Sequence, residues 1–276
     1  VRGIQEGNGI PEDGDLWLSY SVNKEDMWVS RIQVPVQLEA TAHAKDDFSQ
    51  AEKLADLTDW NLYSPLWAPV SLEGKWLKMS DRDPFDYCRI ERKIPASKEL
   101  KVAFDIKADQ NDKGLLQIEF LDENSIACAR IDLNPDGTML SKGGARYGKL
   151  LNYEAGKSYH VEVILSVSKR MSEVFIDGKK AGQRMFFAPV AAIERIAFRT
   201  GERRTFPTID TPADWDGTLA DAGEQEPLVA YSISNFQTSS TDVSASAAVL
   251  NYNNYKHYVD YFNGMEDENI AQAIPN

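Results

Sequence analysis

A succession of short segments with alternating apolar and polar residues occupies most of the chain between residues 60 and 238. Turn-forming residues separate these segments, including NPDG at 134–137, GG at 143–144 and DG at 177–178. The alternating segments are residues 87–94, 100–108, 115–121, 126–133, 159–167, 173–176, 193–198 and 229–236. Parallel βαβ units need crossover helices, and no strong helical periodicity lies between these segments. The pattern therefore predicts an all-β fold, an antiparallel β-sandwich of the jelly-roll type.

The two ends of the chain have different patterns. Residues 1–40 contain a predicted β-hairpin, which we expect to pack against the sandwich or its connector because Trp17 and Trp28 would otherwise form a large exposed patch. Residues 41–58 form the predicted connector, with an amphipathic helix over 45–57. The sandwich is expected over residues 59–238. The Ser-, Thr- and Ala-rich stretch that follows predicts a flexible linker, and two short helices complete residues 239–276.

The charge balance and hydropathy limit the partners of the chain. Lys and Arg total 30 against 43 for Asp and Glu, and the net charge of −13 disfavours a nucleic acid partner. No apolar run reaches the roughly 18 residues of a membrane helix, so no membrane span is expected. The two cysteines, Cys88 and Cys128, lie in apolar alternating segments, and we expect them to be reduced and buried.

Recognised catalytic motifs are not present in the sequence. There is no HExxH, GxSxG, GxxxxGK[ST] or GxGxxG, and the three histidines are widely separated. Glycosidases on jelly rolls place two carboxylates on one face of a strand, whereas Glu119 and Asp122 are three residues apart and so face opposite sides. No catalytic residue is therefore predicted, although carboxylates from separate strands can still meet in space.

An acidic loop provides the one candidate metal site. Asp81, Asp83 and Asp86 offer hard oxygen ligands of the type that Ca²⁺ takes, so a structural Ca²⁺ is the candidate ligand and no other cofactor is expected. A solvated loop without metal is the favoured alternative, because the spacing matches no known calcium loop and Arg82 would oppose the ion.

Candidate glycan-binding residues are exposed aromatic rings and a cluster of arginines. Sugars are bound by flat aromatic faces together with planar polar groups. Arg199, Arg203 and Arg204 form a dense basic group that can clamp the carboxylate of a uronic or sialic acid, the alternative being salt bridges to an acidic loop at 210–226. The aromatic candidates are Trp60, Tyr63, Trp67, Trp76, Tyr147 and Trp215, with Trp67, Trp76 and Trp215 favoured as ligand-binding residues.

Several sequence motifs resemble modules of bacterial glycan-degrading proteins. YSVNKEDMWVSRI at 20–32 resembles the closing blade of a sialidase-like β-propeller. The following region resembles the concanavalin-like sandwich that often follows such a propeller. The motifs that carry this second resemblance are YSPLWAPV at 63–70, DPFDY at 83–87, DGK at 177–179 and IERIAFRTG at 193–201. More weakly, residues 255–276 resemble the first helices of an (α/α) toroid glycosidase.

The resemblance implies a role for the chain within a larger protein. Its partners would be a glycan or polysaccharide and neighbouring domains of the same polypeptide, in the periplasm or outside the cell. The favoured hypothesis is a non-catalytic accessory module of a glycoside hydrolase or sialidase-like protein that orients domains and binds glycan weakly. Two alternatives remain open, since one fold hosts many functions. The first is a hydrolase or lyase with its cleft at the propeller edge, near Lys24, Glu25 and Arg31. The second is a purely structural adhesion module.

Overall fold

The part of the protein that the structure describes consists mainly of β-strands, which form four sheets. The computed structural model describes the backbone of residues 2–5, 14–22, 26–34, 37–84, 86–201, 225–242 and 246–250, and side chains from residue 41 to residue 242 within those ranges. The strands are β1 Arg2–Gln5, β2 Gly14–Val22, β3 Asp26–Val34, β4 Gln37–Thr41, β5 Lys45–Asp46, β6 Trp60–Tyr63, β7 Val70–Glu73, β8 Trp76–Asp81, β9 Arg89–Ser97, β10 Glu99–Ala108, β11 Leu116–Leu121, β12 Ala127–Leu133, β13 Thr138–Gly143, β14 Arg146–Asn152, β15 Ser158–Ser166, β16 Met171–Ile176, β17 Lys179–Met185, β18 Ile193–Thr200, β19 Val229–Ser240 and β20 Ser246–Leu250.

Two large antiparallel sheets form the sandwich. The eight-stranded sheet has the order β17-β16-β15-β10-β19-β8-β7, with β5 paired to β19. The seven-stranded sheet has the order β14-β13-β12-β11-β18-β9-β6. Neighbours in both sheets are antiparallel, and many are distant in sequence, as in β10 with β19 and β11 with β18. The prediction of an all-β antiparallel sandwich is confirmed.

The core lies between the two large sheets and is apolar. It combines alternate residues of both sheets, because successive side chains of a strand point to opposite faces. At its centre the Phe198 ring packs edge-on against Phe104 at 5.0 Å between centroids and against Phe236 at 6.4 Å, and Trp60 lies at 6.5 Å. Trp60, one of the aromatic candidates for ligand binding, is therefore a core residue.

Two smaller sheets accompany the sandwich. Strands β1, β2 and β3 form one of them, which confirms the predicted N-terminal hairpin and extends it by one strand. The side chains of Trp17 and Trp28 lie outside the described residues, so the prediction about their packing stays a prediction. Strands β4 and β20 form the second small sheet and contact β9. None of the helical segments in the described ranges has the length and apolarity to cross a membrane.

The predicted amphipathic helix over 45–57 is wrong. This segment contains β5 and two 3₁₀ turns, Phe48–Gln50 and Leu54–Asp56. Local acceptors compete with helix formation here, since the Asp47 carboxylate accepts from the backbone N–H of Ser49 and the Asp56 carboxylate accepts from those of Glu52 and Lys53. Phe48 is buried in the core, so the segment is part of the sandwich.

The predicted flexible linker after residue 238 is also wrong where the structure describes it. Strand β19 continues to Ser240, and the Asp242 carboxylate accepts hydrogen bonds from the backbone N–H groups of Lys98 and Glu99. Residues 246–250 then pair as β20 with β4. Composition alone misses this pairing because the hydrogen bonds of a β-ladder come from the backbone, which is common to all residue types except proline. The predicted C-terminal helices lie outside the described residues.

Gly114 illustrates how tightly the start of β11 packs against β19. Its φ of +75° is rarely adopted by residues with a side chain, and a Cβ atom there would lie 2.6 Å from Val229 Cγ1 and 2.8 Å from the Tyr231 hydroxyl. We expect Gly114→Ala to lower the free energy of unfolding by about 2 kcal/mol, because strain and overlap add. Denaturant unfolding measures this, with Gly178→Ala as the control. Gly178 shares the φ of +75° but has open space around it, so an equal loss in both variants would show that overlap contributes nothing.

Candidate functional site

The outer face of the seven-stranded sheet, which points away from the core, carries many charged side chains. In β9, Ile90 and Ile94 belong to the core, so Glu91 and Lys93 point outward. The same alternation applies to β11, β12 and β18. We call this surface the charged face, and its polar members are Arg89, Glu91, Lys93, Gln117, Glu119, Arg130, Asp132, Lys142, Arg195 and Arg199.

Strand register aligns these side chains in rows across the sheet. Glu119 is opposite Arg130 on one side and Ala197 on the other, and Ala197 is in turn opposite Glu91. Continued to both edges, this row contains Asn61, Glu91, Ala197, Glu119, Arg130, Lys142 and Tyr147. The adjacent row contains Tyr63, Arg89, Arg199, Gln117, Asp132 and Leu140. Carboxylates from separate strands thus share one face, which spacing along a single strand does not reveal.

Glu91 lies between two arginines in the half of the charged face formed by β9 and β18. Its side chain is 1% exposed, Arg89 Nη2 lies 2.6 Å from Oε2, and Arg195 Nη1 lies 3.6 Å from Oε1. Asn61 Nδ2 donates to Oε1 at 3.2 Å. Burial by itself raises the pKa of a carboxyl, but the guanidinium groups of Arg89 and Arg195 outweigh it and hold the pKa of Glu91 below its usual range. Glu91 therefore stays ionised.

Arg199 links the middle of the charged face. Its guanidinium donates to the Gln117 carbonyl oxygen and, at 2.9 Å, to the backbone carbonyl of Gly201. Arg199 Nη2 also lies 3.5 Å from Glu119 Oε1. The side chain is completely buried, in contrast to the expectation of a guanidinium on the surface. The Tyr87 ring centre lies 5.3 Å from the guanidinium carbon, and this ring, together with Gln117 and Glu119 of β11, surrounds the Arg199 guanidinium.

Arg130 occupies the other half of the charged face and is partly exposed. Its Nε lies 3.1 Å from Asp132 Oδ1, its Nη1 lies 3.9 Å from Glu119 Oε1, and its Nη2 donates to the Tyr147 hydroxyl at 2.7 Å. Burial raises the pKa of Asp132 to about 6 despite the nearby guanidinium groups of Arg130 and Arg199. Arg130 retains 12% side-chain exposure, and the Tyr147 ring whose hydroxyl it contacts is 49% exposed.

Two aromatic rings flank Arg130 at this end. Tyr147 is 49% exposed, and Phe187 is half-buried over a small apolar cluster of Leu121, Ala127 and Ala197. Lys142 Nζ lies 4.3 Å from the centre of the Phe187 ring, and the Arg130 guanidinium carbon lies 5.9 Å from it. We call Arg130, Lys142, Tyr147 and Phe187 the open end of the charged face. Cations beside exposed aromatic rings are the groups that bind a sugar and its carboxylate.

Three of the predicted ligand-binding residues, Trp67, Trp76 and Arg199, lie in the part of the chain that the structure describes, and Trp76 and Arg199 belong to different sheets. Trp67 lies in the loop between β6 and β7 and is half-buried. Trp76 begins β8 on the other sheet, where the amines of Lys75 and Lys107 lie 5.6 and 5.4 Å from its ring centre. Trp215, Arg203 and Arg204 lie outside the described residues, as do Lys24, Glu25 and the side chain of Arg31. Tyr147 is the aromatic candidate that the structure places beside cations on the charged face.

The candidate metal loop has its carboxylates engaged in local hydrogen bonds. Asp81 accepts from the Thr200 hydroxyl at 2.5 Å and from the backbone N–H of Asp83 at 2.8 Å. Asp83 accepts from the N–H of Asp86, and Asp86 accepts from the Tyr63 hydroxyl, in both cases at 2.8 Å or less. Within the described ranges, no three metal-ligating side chains converge in a way that could hold an ion. Both cysteines are free and buried, as predicted.

Sequence reasoning missed Arg130, Lys142 and Phe187. The available signal was the alternation in residues 126–133, which places Arg130 and Asp132 on one face of the strand and Ile131 on the other. Phe187 gave no such signal, because it lies in the connection between β17 and β18, and its backbone N–H donates to the Cys128 carbonyl of β12. Only the tertiary structure brings that connection onto the charged face.

The fold is an antiparallel β-sandwich, and the family to which it belongs makes it a carbohydrate-associated module. Residues 60–215 match the family described as Sialidase-like, CBM domain, and the chain belongs to this family. Among solved structures it is similar to a sialidase, with 68% identity over 99% of this chain and a TM-score of 0.76. The chain spans 25% of the length of that sialidase.

A second solved structure shares the fold alone. It is Crh5 transglycosylase in complex with NAG, with 13% identity, a TM-score of 0.52, and coverage of 77% of this chain and 90% of that chain. No curated protein sequence matches this chain. The resemblance to a sialidase-associated sandwich is therefore confirmed, whereas the resemblance of residues 20–32 to a propeller blade stays a prediction.

Proposed function

We propose that this chain is a non-catalytic accessory module that binds carboxylate-bearing glycans through the open end of the charged face. The observation that carries the proposal is the contact of Arg130 with Tyr147 beside Lys142 and Phe187, in a position that solvent reaches. A sugar ring can stack on the exposed Tyr147 face while its carboxylate meets the cations. Family membership supports a carbohydrate ligand.

The charge of the face supports an acidic ligand. Among the described residues of the charged face, cationic side chains outnumber carboxylates, although the whole chain has a net charge of −13. A local positive surface on an acidic protein concentrates anions where it lies and repels them elsewhere. The open end holds only a few contact groups, so we expect dissociation constants on the order of 10 µM to 1 mM.

The carboxylates of the charged face support a non-catalytic role. A glycosidase needs one carboxyl that donates a proton and a second that attacks the sugar or activates water, both in contact with substrate. Glu91 and Glu119 are each 1% exposed, and each lies beside two arginines. Asp132 has a raised pKa, but it and Glu119 both lie beside the Arg130 guanidinium, at 3.1 and 3.9 Å, and the two side chains are only 5% and 1% exposed.

Replacing Tyr147 by alanine tests the site. We expect Tyr147→Ala to weaken binding of a uronic-acid-bearing trisaccharide about tenfold, which corresponds to loss of one aromatic stacking contact. Isothermal titration calorimetry on the 276-residue chain measures this, with the neutral trisaccharide of the same linkage as the reference ligand. Tyr147→Phe keeps the ring and should retain most of the affinity.

Two further variants make the test specific. Phe175→Ala removes a half-buried ring from the outer side of the eight-stranded sheet and should leave binding unchanged. Trp76→Ala addresses the residue that the sequence favours on that same sheet. If Trp76→Ala abolished binding and Tyr147→Ala did not, the site would lie on the eight-stranded sheet and the proposal would be wrong. Turnover of any oligosaccharide by the chain would overturn the non-catalytic role.

Within a larger protein, such a module would hold neighbouring domains close to their glycan. The similar sialidase is about four times as long as the part that this chain covers, which leaves room for such domains in that protein. We propose the same arrangement here, in the periplasm or outside the cell, where polymeric glycans are found.

A further inference from the structure

Arg130 already has an anionic partner inside the protein. Asp132 follows it by two residues on β12, so both side chains point to the charged face, and Arg130 Nε lies 3.1 Å from Asp132 Oδ1. The Asp132 side chain is 5% exposed, less than half the 12% of Arg130. Asp132 therefore lies on the buried side of the Arg130 guanidinium. A ligand carboxylate would approach the same guanidinium from the solvent side.

We propose that Asp132 is the internal counter-ion of Arg130 and that a carboxylate-bearing glycan takes over this role, so that Asp132 determines how strongly the site selects anionic sugars. The inference rests on the proposed function. It adds a specificity-determining residue that does not itself touch the ligand and acts through Arg130.

The charges around Asp132 explain why replacing it with a ligand carboxylate as the counter-ion of Arg130 involves a proton. Glu119 on β11 lies close enough to repel a negative charge at Asp132, while Arg130, Arg199 on β18 and Lys142 on β13 attract it. Burial outweighs this attraction and raises the pKa of Asp132 to about 6. A ligand carboxylate at Arg130 adds a further negative charge beside a buried group and raises that pKa again. Binding should therefore be accompanied by protonation of Asp132.

The direction of the pH dependence follows by linkage. If the complex binds more protons than the free protein, the affinity rises as the pH falls, by up to about tenfold per pH unit for one proton. The effect should appear between about pH 8 and pH 6, above the pKa of Asp132 in the free protein, and it should level off below that range. The carboxylate of the sugar stays ionised throughout, so the change reports on the protein.

Calorimetry in buffers of different ionisation enthalpy measures the proton directly. The probe is sialyllactose, with lactose as its neutral counterpart, titrated into the 276-residue chain at about pH 7 and pH 5.5. We expect an uptake approaching one proton per sialyllactose at the higher pH, less at the lower pH, and none for lactose. This readout comes from the unaltered protein and does not depend on any variant.

Asp132→Asn is the matched variant, because the amide has the shape of the protonated carboxyl. We expect it to bind sialyllactose at least tenfold more tightly than the unaltered chain near pH 8, with no proton uptake and a flat pH profile. Asp136→Asn, an exposed carboxyl in the turn before β13, should leave both quantities unchanged. Glu119→Gln should retain the proton uptake if Asp132 is the group that takes up the proton.

The possible outcomes separate this inference from the proposed function. Absence of binding by the unaltered chain and by Asp132→Asn at every pH would overturn both. Binding that depends on Tyr147 but takes up no proton would overturn the role of Asp132 and leave the proposed function standing. Proton uptake that persists in Asp132→Asn and disappears in Glu119→Gln would assign the role to Glu119 and contradict the inference.

Discussion

Phe198→Ala is expected to lower the free energy of unfolding by about 4 kcal/mol, the range seen when a buried phenylalanine is truncated. Phe198 is fully buried, and its ring contacts Phe104, Phe236 and Trp60, which belong to β10, β19 and β6. Both large sheets therefore lose packing together. Guanidinium denaturation followed by tryptophan fluorescence measures the change, because Trp60 reports from within the same cluster.

Phe175→Ala is the matched control for this prediction. It removes the same side chain from a half-buried position on the outer side of the eight-stranded sheet, and we expect a loss below about 1.5 kcal/mol. A loss at Phe198 no greater than the loss at Phe175 would contradict the view that the ring cluster between the sheets is the centre of the core.

Glu91→Gln should be the most destabilising change on the charged face, with a loss of about 3 kcal/mol near neutral pH. The variant removes a carboxylate charge that lies 2.6 Å from the Arg89 guanidinium and 3.6 Å from that of Arg195, both of them buried. Glu162→Gln is the control, since Glu162 pairs with Lys101 at 2.5 Å but retains 26% exposure on the other sheet. An exposed pair of this kind contributes less than about 1 kcal/mol.

Acid should remove the difference between Glu91→Gln and the unaltered protein. The pKa of Glu91 is lower in the folded protein than in the unfolded chain, because Arg89 and Arg195 stabilise the ionised form against the cost of burial. Its contribution is complete above the unfolded pKa of about 4.3 and is lost as the pH falls through the folded value. Unfolding curves of both proteins should therefore converge in that acidic range, and a gap that persists there would show that the charge of Glu91 is not the cause.

Residues 87–94 show what the alternation of apolar and polar residues predicts correctly and what it does not predict. Alternation places Cys88, Ile90, Arg92 and Ile94 on one side of this segment and Arg89, Glu91 and Lys93 on the other, and the structure agrees. Alternation also suggests that the polar side is solvated, yet Glu91 is almost completely buried. Periodicity assigns a side chain to a face of the sheet. Which partners surround that face depends on strands that are distant in sequence.

Arg92, on the core-facing side of β9, also has partners that are distant in sequence. It is buried among apolar residues, and its guanidinium pairs with Asp46 at 2.8 Å and with Asp59 at 3.1 Å, both of which precede β6 in the chain. A local reading of the connector favours a helix, because Phe48, Ala51 and Leu54 have helical spacing. The long-range pairing of Asp46 with Arg92 and of β5 with β19 overrides that preference.

The sequence by itself determined that this chain forms an antiparallel sandwich. Alternation and turn formation depend only on residues that are neighbours in the chain, so the sequence shows them directly. It also identified Tyr147 as one of several candidate aromatic residues and placed both cysteines in the core. Only the tertiary structure decided that Arg130, Asp132 and Glu119 meet beside Tyr147 and Phe187. Those contacts depend on the register of β11, β12 and β14 and on the connection before β18, and the free energy that fixes them comes from packing the whole sandwich.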